Sequence, residues 1–396
     1  MSRNMEEKIK NIARGKRVLV LEGYCKQCLP FIREFRNLGC EVTLLCNSKW
    51  DCGYVSRLPK HKILGVCDMK RPKESEEYIV NLVKTRNYDI VFPLFDFSAR
   101  ILSHNKEELS KYAIICANDK TIFDKANDKN EVMRVCMENN VPCPKTLFNV
   151  ASIEDVTEGD LAFPIIIKPR RMYGARGFHI FENKEEFKEY VRNKSIQLAD
   201  YVVQEFIPLG SKVMGGNIYI DREGNIKSSY LYACEHLYPE NGGTSTLNAI
   251  LLRPDIKANC ERLCRIMNLR GVIGVDLMID KRDNVGKVIE INVRPVHGIT
   301  LGFIAGVNHA QQVLEDCLEL PVTSMEAIKT DICLRILQTD VLWFLSSKNR
   351  FKNTYRKLGY KHVKEQMFYW DDPLPWFAFL LGGLKDYRKK MMEKTQ

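Results

Sequence analysis

Two apolar stretches joined by a polar turn constrain this chain more than any other part of its sequence. Residues 274–279 and 288–294 read as a pair of strands. Because strand side chains alternate between faces, three polar residues of the second stretch are predicted to point the same way: Glu290, Asn292 and Arg294. The apolar residues between them are predicted to face the core: Ile289, Ile291 and Val293. A buried strand seldom presents an acid, an amide and a guanidinium on one face without a ligand, because unpaired buried charge is costly.

The first of these two stretches adds a second carboxylate, Asp276. Two carboxylates and an amide oxygen are hard ligands that suit Mg²⁺ held together with phosphate, and Arg294 suits an anion. The predicted metal ligands are therefore Asp276, Glu290 and Asn292. The alternative is an edge hairpin with a solvated polar face. It fits the turn at 280–284 but not the strand, because Pro295 ends that strand just after the polar cluster.

Length and charge set broad limits on the fold and its partners. A chain of 396 residues predicts two or three domains. The net charge of +10 favours anionic partners such as nucleotides, phosphosugars, membrane surfaces or nucleic acid. Nucleic acid is disfavoured because the basic residues are dispersed. No apolar run approaches 18 residues, so no spanning helix is expected, and the charged start is unlike a secretory signal.

The 14 cysteines are scattered through apolar segments. Cys25 and Cys28 form the only Cys-x-x-Cys, and no second pair or matching histidine pair follows, so a zinc site is not supported. Reduced thiols packed as small apolar side chains in a cytosolic protein are the favoured interpretation. Redox or metal chemistry at Cys25 and Cys28 is the alternative.

The first 118 residues alternate strands and helices. Strands are predicted at 17–22, 41–46, 89–93 and 113–116, with a helix at 29–38. This alternation predicts a parallel α/β sheet. The first strand–helix turn lacks the Gly-x-Gly-x-x-Gly fingerprint, so a dinucleotide site is not expected there.

Two loops further along suggest a nucleotide site, and a third suggests a substrate pocket. A strand ending at Lys168 leads into a basic, glycine-containing loop at 170–177, which could close over phosphates or be an ordinary exposed turn. A strand with a Pro- and Gly-containing bend at 201–210 could meet an adenine edge or simply connect two elements. The polar glycine loop at 238–246 is long enough to line a substrate pocket.

With these motifs in order, the chain resembles the ATP-grasp superfamily, and it looks closest to carbamoyl-phosphate-synthetase-like carboxylate–amine ligases. The resemblance covers about residues 1–330 and is strongest at 128–295. It implies α/β and α+β architecture. An N-terminal Rossmann-like parallel-sheet (pre-ATP-grasp) domain would span 1–118, and a two-lobed ATP-grasp domain 119–330, with its flap lobe at about 130–205. A short basic and aromatic C-terminal extension would span 331–396.

The resemblance also assigns roles to individual residues. Residues that would bind the ATP phosphates are Lys129 and Lys168, with the flap residues Gly174, Ala175, Arg176 and Gly177. The hinge that would meet adenine is Glu205, Phe206 and Ile207. The Mg²⁺ ligands would be Asp276, Glu290 and Asn292, and the substrate loop Tyr238 to Ser245. Two departures from the family pattern are Lys212, where a ribose-binding glutamate often lies, and Asn248, where an arginine was expected.

The chemistry implied has two steps. A carboxylate attacks the γ-phosphate of ATP to give an acyl phosphate, and an amine then displaces phosphate. Arg294 would orient the carboxylate, with Lys168 counted among the catalytic groups. His297 is either a general base or a packing histidine. His179 and His236 are expected to be structural.

The implied cofactors are ATP and Mg²⁺, with Mn²⁺ as an alternative. The implied substrates are a small carboxylate and an amine of amino-acid, peptide or sugar-acid type. Carboxylation, carbamoyl transfer and a non-catalytic nucleotide-binding role are the rival functions. A cytoplasmic location is expected, and a homodimer is left open.

The C-terminal segment has aromatic–aliphatic patches at 343–345 and 376–381, followed by a basic run at 385–390. This pattern suits peripheral contact with an anionic membrane surface. The preferred alternative is a helical piece that packs on the N-terminal domain and leaves a solvated basic end.

Overall fold

The computed structural model describes residues 3–171, 177–208, 210–240, 243–355, 359 and 361–382. Within these residues the strands form sheets of five, four and seven strands. The five-stranded sheet belongs to the N-terminal part of the chain, and the other two to the part that follows. Mixed α/β and α+β architecture, predicted from the sequence, is confirmed.

The N-terminal part alternates buried strands with helices. Its elements are α1 (Arg3–Ala13), β1 (Arg17–Val20), α2 (Cys28–Asn37), β2 (Glu41–Cys46), α3 (Cys52–Val55), β3 (His61–Leu64), α4 (Pro72–Thr85), β4 (Ile90–Phe92), α5 (Asp96–His104), α6 (Lys106–Leu109) and β5 (Ile114–Ile115). The sheet is parallel throughout, in the order β3-β2-β1-β4-β5. The central strands are apolar along nearly their whole length, as expected where helices cover both faces of a sheet.

A small antiparallel sheet forms the next lobe. Two helices lead into it: α7 (Lys120–Asn127) and α8 (Lys129–Glu138). The lobe contains β6 (Thr146–Leu147), α9 (Ile153–Thr157), β7 (Ile165–Pro169), β8 (His179–Phe181), α10 (Lys184–Lys194) and β9 (Tyr201–Glu205). The strand order is β6-β9-β7-β8. Helices α9 and α10 contribute buried side chains, among them Val156 and Phe187, to the core behind this sheet.

The seven-stranded sheet forms the large lobe. Its elements are β10 (Lys212–Ile220), β11 (Ile226–Tyr238), β12 (Thr244–Leu251), α11 (Pro254–Ile266), β13 (Gly271–Ile279), β14 (Gly286–Asn292), α12 (Ile299–Ala305), α13 (His309–Cys317), β15 (Ile332–Arg335), α14 (Leu337–Ser346) and β16 (His362–Glu365). The strand order is β14-β13-β10-β11-β12-β15-β16. The buried residues of α8, including Val132 and Met133, belong to the core of this sheet.

The C-terminal segment is built into both the large lobe and the N-terminal part. Strand β15 pairs with β12, and β16 pairs with β15. Further on, Met367 lies in the core of the N-terminal part, and Asp371 accepts two hydrogen bonds from Arg33, at 2.7 and 3.0 Å. This contact agrees with the preferred alternative, in which the segment packs on the N-terminal domain. The basic run at 385–390 lies outside the described residues.

In the part of the chain that the structure describes, no helix is both long and apolar enough to cross a membrane. The C-terminal segment does expose several large apolar side chains, of which Trp370 is the most exposed at 90%. Peripheral membrane contact stays a prediction. The domain boundaries at 118 and 330 and the flap lobe at about 130–205 also stay predictions.

Candidate active site

The carboxylates of the predicted metal site face each other across two paired strands. Asp276 on β13 is directly opposite Glu290 on β14, and Asn292 donates a hydrogen bond to Asp276 at 3.1 Å. A β-bulge between Asp276 and Leu277 places Leu277 opposite Val288, so Ile289 is the extra residue. The two predicted carboxylates and the amide therefore lie together on the sheet.

The bulge corrects one detail of the predicted alternation. Val288, Ile291 and Val293 are buried in the core of the large lobe, whereas Ile289 is only half-buried. The extra residue shifts the alternation by one position, and Val288 takes the core place predicted for Ile289. Glu290, beyond the bulge, keeps its place opposite Asp276.

The two carboxylates are close enough to oppose each other's ionisation. Burial and the charge of Glu290 raise the pKa of Asp276 above its ordinary value. Burial alone would also raise the pKa of Glu290, but the ammonium of Lys129, 3.0 Å away, lowers it. A divalent cation between the carboxylates would remove the repulsion, so this pair and the Asn292 amide fit Mg²⁺. Within the described ranges, no cluster of three or more His, Cys, Asp or Glu side chains suits a metal.

Two lysines approach Glu290 from different lobes. Lys129 is the first residue of α8, which packs on the large sheet, and Lys168 lies on β7 of the small lobe. Burial lowers the pKa of Lys168 to about 8, and the nearby Glu290 carboxylate partly offsets this effect. Both predicted phosphate-binding lysines therefore reach the same cluster of charges. An anionic ligand at this place would stabilise the charged form of Lys168.

Sequence reasoning missed the residue that joins the start of the flap to α8. Asp128 is buried and caps α8 by accepting from the Asn130 backbone N–H at 3.0 Å. It also accepts from Arg170 Nη2 at 2.7 Å and from Arg171 Nε at 3.2 Å. Burial would raise the pKa of Asp128, but Arg170 and Arg171 lower it. One carboxylate thus fixes both the beginning of the flap and the helix that carries Lys129.

Replacing Asp128 by Asn should lower both the stability of the protein and its affinity for ATP. The loss of charge-assisted hydrogen bonds is expected to reduce the free energy of unfolding by about 1–3 kcal/mol. We expect ATP affinity to fall by roughly 10-fold, the effect of about 1.4 kcal/mol, because the flap start and Lys129 lose a common anchor. Urea unfolding and calorimetric titration with ATP measure the two effects. Glu131→Gln is the control because it removes a carboxylate from the same helical turn. Equal behaviour of the two variants would contradict the anchoring role.

The remaining flap residues are only partly described. Gly174, Ala175 and Arg176 lie outside the described residues. Gly177 is exposed and has φ +70°, a left-handed conformation that glycine adopts without strain. The predicted contact of these residues with phosphate stays a prediction.

At the predicted hinge, the Glu205 carboxylate is held in an ion-pair network. It contacts Arg282 Nη2 at 2.7 Å and Lys287 Nζ at 2.9 Å, and Lys287 also contacts the buried Asp280 at 2.9 Å. The network ties the end of β9 to the β13–β14 turn. The Phe206 backbone N–H donates to the Pro164 carbonyl at 3.0 Å, and Ile207 is buried. Adenine contact by Glu205, Phe206 and Ile207 stays a prediction.

Arg294 extends from the end of β14 towards the N-terminal sheet. Its Nη2 donates to Asn292 Oδ1 at 3.0 Å and to Asp96 at 2.6 Å, and its guanidinium lies 4.8 Å from the centre of the Phe95 ring. Its Nε is buried without a hydrogen-bond partner among the described residues. Sequence reasoning missed Asp96. Its position just after β4, at the carboxyl edge of a parallel sheet, is the signal that could have revealed it.

His297 lies near Arg294 and is held in its neutral form. The charge of Lys26, then burial, then the charge of Arg294 lower its pKa well below the ordinary value. Its Nε2 is buried and has no partner in the described part of the structure. A neutral imidazole can accept a proton, so the general-base interpretation remains available.

The cysteines pack as the favoured interpretation predicted. All 14 are free thiols, and most of them are buried. Burial raises the pKa of Cys25 and Cys28, which disfavours the reactive thiolate.

The two departures from the family pattern have protein partners. Lys212 forms an ion pair with Glu235 at 2.9 Å. Asn248 is buried and accepts a hydrogen bond at 2.7 Å from the Oγ of Ser245, the last residue of the predicted substrate loop. Tyr238 ends β11, and Thr244 begins β12. Asn241 and Gly242, which belong to the same loop in the sequence, lie outside the described residues.

His236, on β11 of the large sheet, contacts three residues of the C-terminal segment. Its ring stacks on Trp343 with centroids 3.4 Å apart. Its Nδ1 lies 2.7 Å from Asp340, and its Nε2 lies 2.7 Å from the Asn353 carbonyl oxygen. This environment matches the expectation that His236 is structural. His179 contacts the Tyr190 hydroxyl within the small lobe.

His236→Phe should loosen the C-terminal segment while keeping the ring stack. We expect the free energy of unfolding to fall by about 2 kcal/mol, because the Asn353 carbonyl loses its contact with the ring and buried Asp340 loses one of its partners, keeping Thr246 and Tyr355. Tryptic cleavage between residues 346 and 362 should become faster. His362→Phe, at an exposed histidine of β16, is the matched control. Cleavage rates that are equal in the two variants would contradict this role of His236.

Comparison with known proteins also points to a site for ATP in this part of the chain. Residues 126–298 match the sequence family described as ATP-grasp domain. The D-aspartate ligase of Enterococcus faecium (strain Aus0004) is 26% identical over 322 residues, which cover 74% of this chain and 73% of that ligase.

Two solved structures share the fold. The biotin carboxylase domain of Hydrogenobacter thermophilus 2-oxoglutarate carboxylase, solved with MgADP and bicarbonate, has a TM-score of 0.64 at 16% identity and covers 76% of this chain and 69% of that one. The L-amino acid ligase of Bacillus licheniformis has a TM-score of 0.57 at 18% identity and covers 77% of this chain and 75% of that one. At these identities the likeness establishes the fold alone.

Proposed function

We propose that the chain is a member of the ATP-grasp superfamily and an ATP-dependent carboxylate–amine ligase, because residues 126–298 match an ATP-grasp domain and a D-aspartate ligase is 26% identical over 322 residues. The carboxylate would attack the γ-phosphate of ATP, giving an acyl phosphate and ADP. The amine would then attack the acyl carbon and release phosphate. One observation carries the proposal: Glu290, opposite Asp276 and beside Asn292, lies 3.0 Å from Lys129 and within the electrostatic reach of Lys168. This combination suits polyphosphate and a divalent cation.

Lys129 and Lys168 would hold the phosphates, together with the flap residues Gly174 to Gly177. The hinge residues Glu205, Phe206 and Ile207 would meet adenine, with the backbone as the contacting part of Glu205 because its carboxylate is already paired. Binding between two lobes would exclude water, which matters because water hydrolyses an acyl phosphate.

Asp276, Glu290 and Asn292 would hold Mg²⁺, with Mn²⁺ as an alternative. When bound, the cation would neutralise charge on the phosphate oxygens during transfer. The opposed carboxylates support this assignment, because their mutual repulsion is relieved by a cation.

Arg294 would orient the reacting carboxylate and stabilise the oxyanion formed when the amine attacks. Its contact with Asp96 fixes the guanidinium between the two parts of the chain. His297 is neutral and would take the proton that the amine loses only once bound anionic substrate offsets the charges of Lys26 and Arg294, which lower its pKa.

Amino acids are the substrate type that the relatives favour. The names of the Enterococcus and Bacillus enzymes both specify ligation of an amino acid. Carboxylation is the second candidate, because the fold is shared with a biotin carboxylase domain solved with bicarbonate. A homodimer, a cytoplasmic location and peripheral membrane contact stay predictions.

The test is release of ADP and phosphate from Mg-ATP in the presence of pools of carboxylates and amines, with bicarbonate as a separate arm. Release that needs one member of each pool supports the ligase. Release with bicarbonate and no other carboxylate supports carboxylation instead. ATP binding without release in any arm would contradict both enzymatic functions.

A further inference from the structure

The N-terminal sheet has a topological switch point that faces Arg294. The chain leaves β1 towards β2 and β3 on one side, and β4 and β5 lie on the other. In open α/β sheets, ligands bind in the crevice outside the carboxyl ends of the two strands at such a point. Here the crevice lies between the turn after β1, which contains Lys26, and the start of α5 after β4, where Asp96 is the first helical residue. Arg294 reaches it by contacting Asp96 at 2.6 Å.

Lys26 is a half-buried cation at this crevice. Among the described residues it has no carboxylate at ion-pairing distance, and its ammonium lies 5.0 Å from the centre of the Phe379 ring. Burial lowers its pKa to about 8. The charge of Glu365 partly offsets this lowering of the Lys26 pKa. The Glu365 carboxylate already accepts hydrogen bonds from the Leu337 backbone N–H, at 3.1 and 3.2 Å. Keeping a cation half-buried without a counterion is costly, so an anionic ligand is the expected partner.

His297 connects Lys26 with Arg294. Lys26 is the largest cause of the lowered pKa of His297, and Arg294 is another cause, so both cations lie near one neutral imidazole. The imidazole Nε2 and the Arg294 Nε are both buried without a partner in the described structure. The influence of both cations on one imidazole, together with these two unsatisfied nitrogen atoms, puts Lys26, Arg294 and His297 in the same region of the crevice.

Resting on the ligase function proposed above, we propose that Lys26 and Arg294 select a substrate with two carboxylates, of the acidic amino-acid class. The reacting carboxylate lies at Arg294, and the second carboxylate lies at Lys26. Phe379, on the helical stretch 374–382, lies against the Lys26 ammonium, which is 5.0 Å from the centre of its ring. The C-terminal segment therefore forms one wall of this subsite. Lys26 is a specificity-determining residue and takes no part in the transfer of phosphate.

The test compares aspartate with its two mono-amides, asparagine and isoasparagine, as the carboxylate substrate. Only the mono-amide that keeps the reacting carboxylate can serve as a substrate. We expect the wild-type protein to prefer aspartate over this mono-amide by about 10- to 100-fold in kcat/KM, the scale of one charge-assisted contact. Lys26→Met should remove this preference by raising the KM for aspartate, with kcat for the mono-amide and the KM for ATP unchanged. Lys26→Arg should retain most of the preference. Lys364→Met, at an exposed lysine of β16, should match the wild type.

Calorimetric titration with aspartate in the presence of MgADP gives a second readout that does not need turnover. Weaker binding to Lys26→Met than to Lys364→Met supports the subsite, even if no ligation is found and the proposed function fails. The subsite is overturned if Lys26→Met keeps the wild-type preference and affinity. It is also overturned if the wild type ligates carboxylates but binds neither aspartate nor glutamate, an outcome that leaves the ligase function intact.

Discussion

Glu290→Gln is expected to abolish ATP turnover, with a fall in kcat of at least about 100-fold, the scale of losing one electrostatic contact to a transition state. Glutamine keeps the shape of the side chain and removes its charge. Lys129 then loses the partner at 3.0 Å, and the metal site keeps a single carboxylate, Asp276. Product release measured over a range of Mg²⁺ concentrations should show both a lower maximum and a higher requirement for Mg²⁺.

The same variant should remain folded. Neutralising Glu290 relieves the repulsion that raises the pKa of Asp276, but it also removes the half-buried ion pair with Lys129 at 3.0 Å. We therefore expect a single cooperative urea transition with a midpoint below that of the wild type. Glu138→Gln, an exposed glutamate at the end of the same helix as Lys129, is the matched control and should turn over ATP at the wild-type rate. Turnover by Glu290→Gln within about twofold of the wild type would remove the central support for the proposed function, since one contact of this kind is worth far more.

The sequence predicted most of the elements that carry the site, because their signals are local. Alternation along 288–294 placed Glu290 and Asn292 together, and the run of strands and helices before residue 118 predicted the parallel sheet. The bulge at Ile289 was not predictable from alternation, because an extra residue depends on the partner strand.

Contacts between distant parts of the chain were not accessible from the sequence. The pairing of Arg294 with Asp96 joins residues 198 positions apart, and neither residue's neighbours indicate the other. Strands β15 and β16 are four residues long, and each forms only beside an existing edge of the large sheet. Short strands of this kind depend on packing more than on intrinsic propensity, so the C-terminal segment was expected to be an extension.

The affinity for ATP should fall as the pH rises through about 8. Burial lowers the pKa of Lys168 to about 8, so its ammonium, which the phosphates require, is lost from the ATP-free protein above that pH. Bound phosphate restores the ordinary pKa, and ATP binding must therefore take up a proton at high pH. Between pH 7.5 and 9.5 we expect the Kd to rise by about 20-fold, as linkage to one proton on a group with a pKa of about 8 requires. Calorimetric titration at several pH values in buffers of different ionisation enthalpy measures both the Kd and the proton uptake.

Lys168→Arg separates this effect from other titrations in the same range. Arginine stays charged at all of these pH values, so the variant should bind ATP with a Kd that is nearly independent of pH between 7.5 and 9.5. Lys194→Arg, at an exposed lysine that ends α10 of the same lobe, should keep the wild-type slope. A wild-type Kd that does not change with pH would show that Lys168 is not the phosphate ligand. A slope that survives in Lys168→Arg would assign the titration to another group, of which Lys26, with a pKa also lowered to about 8 by burial, is the first to test.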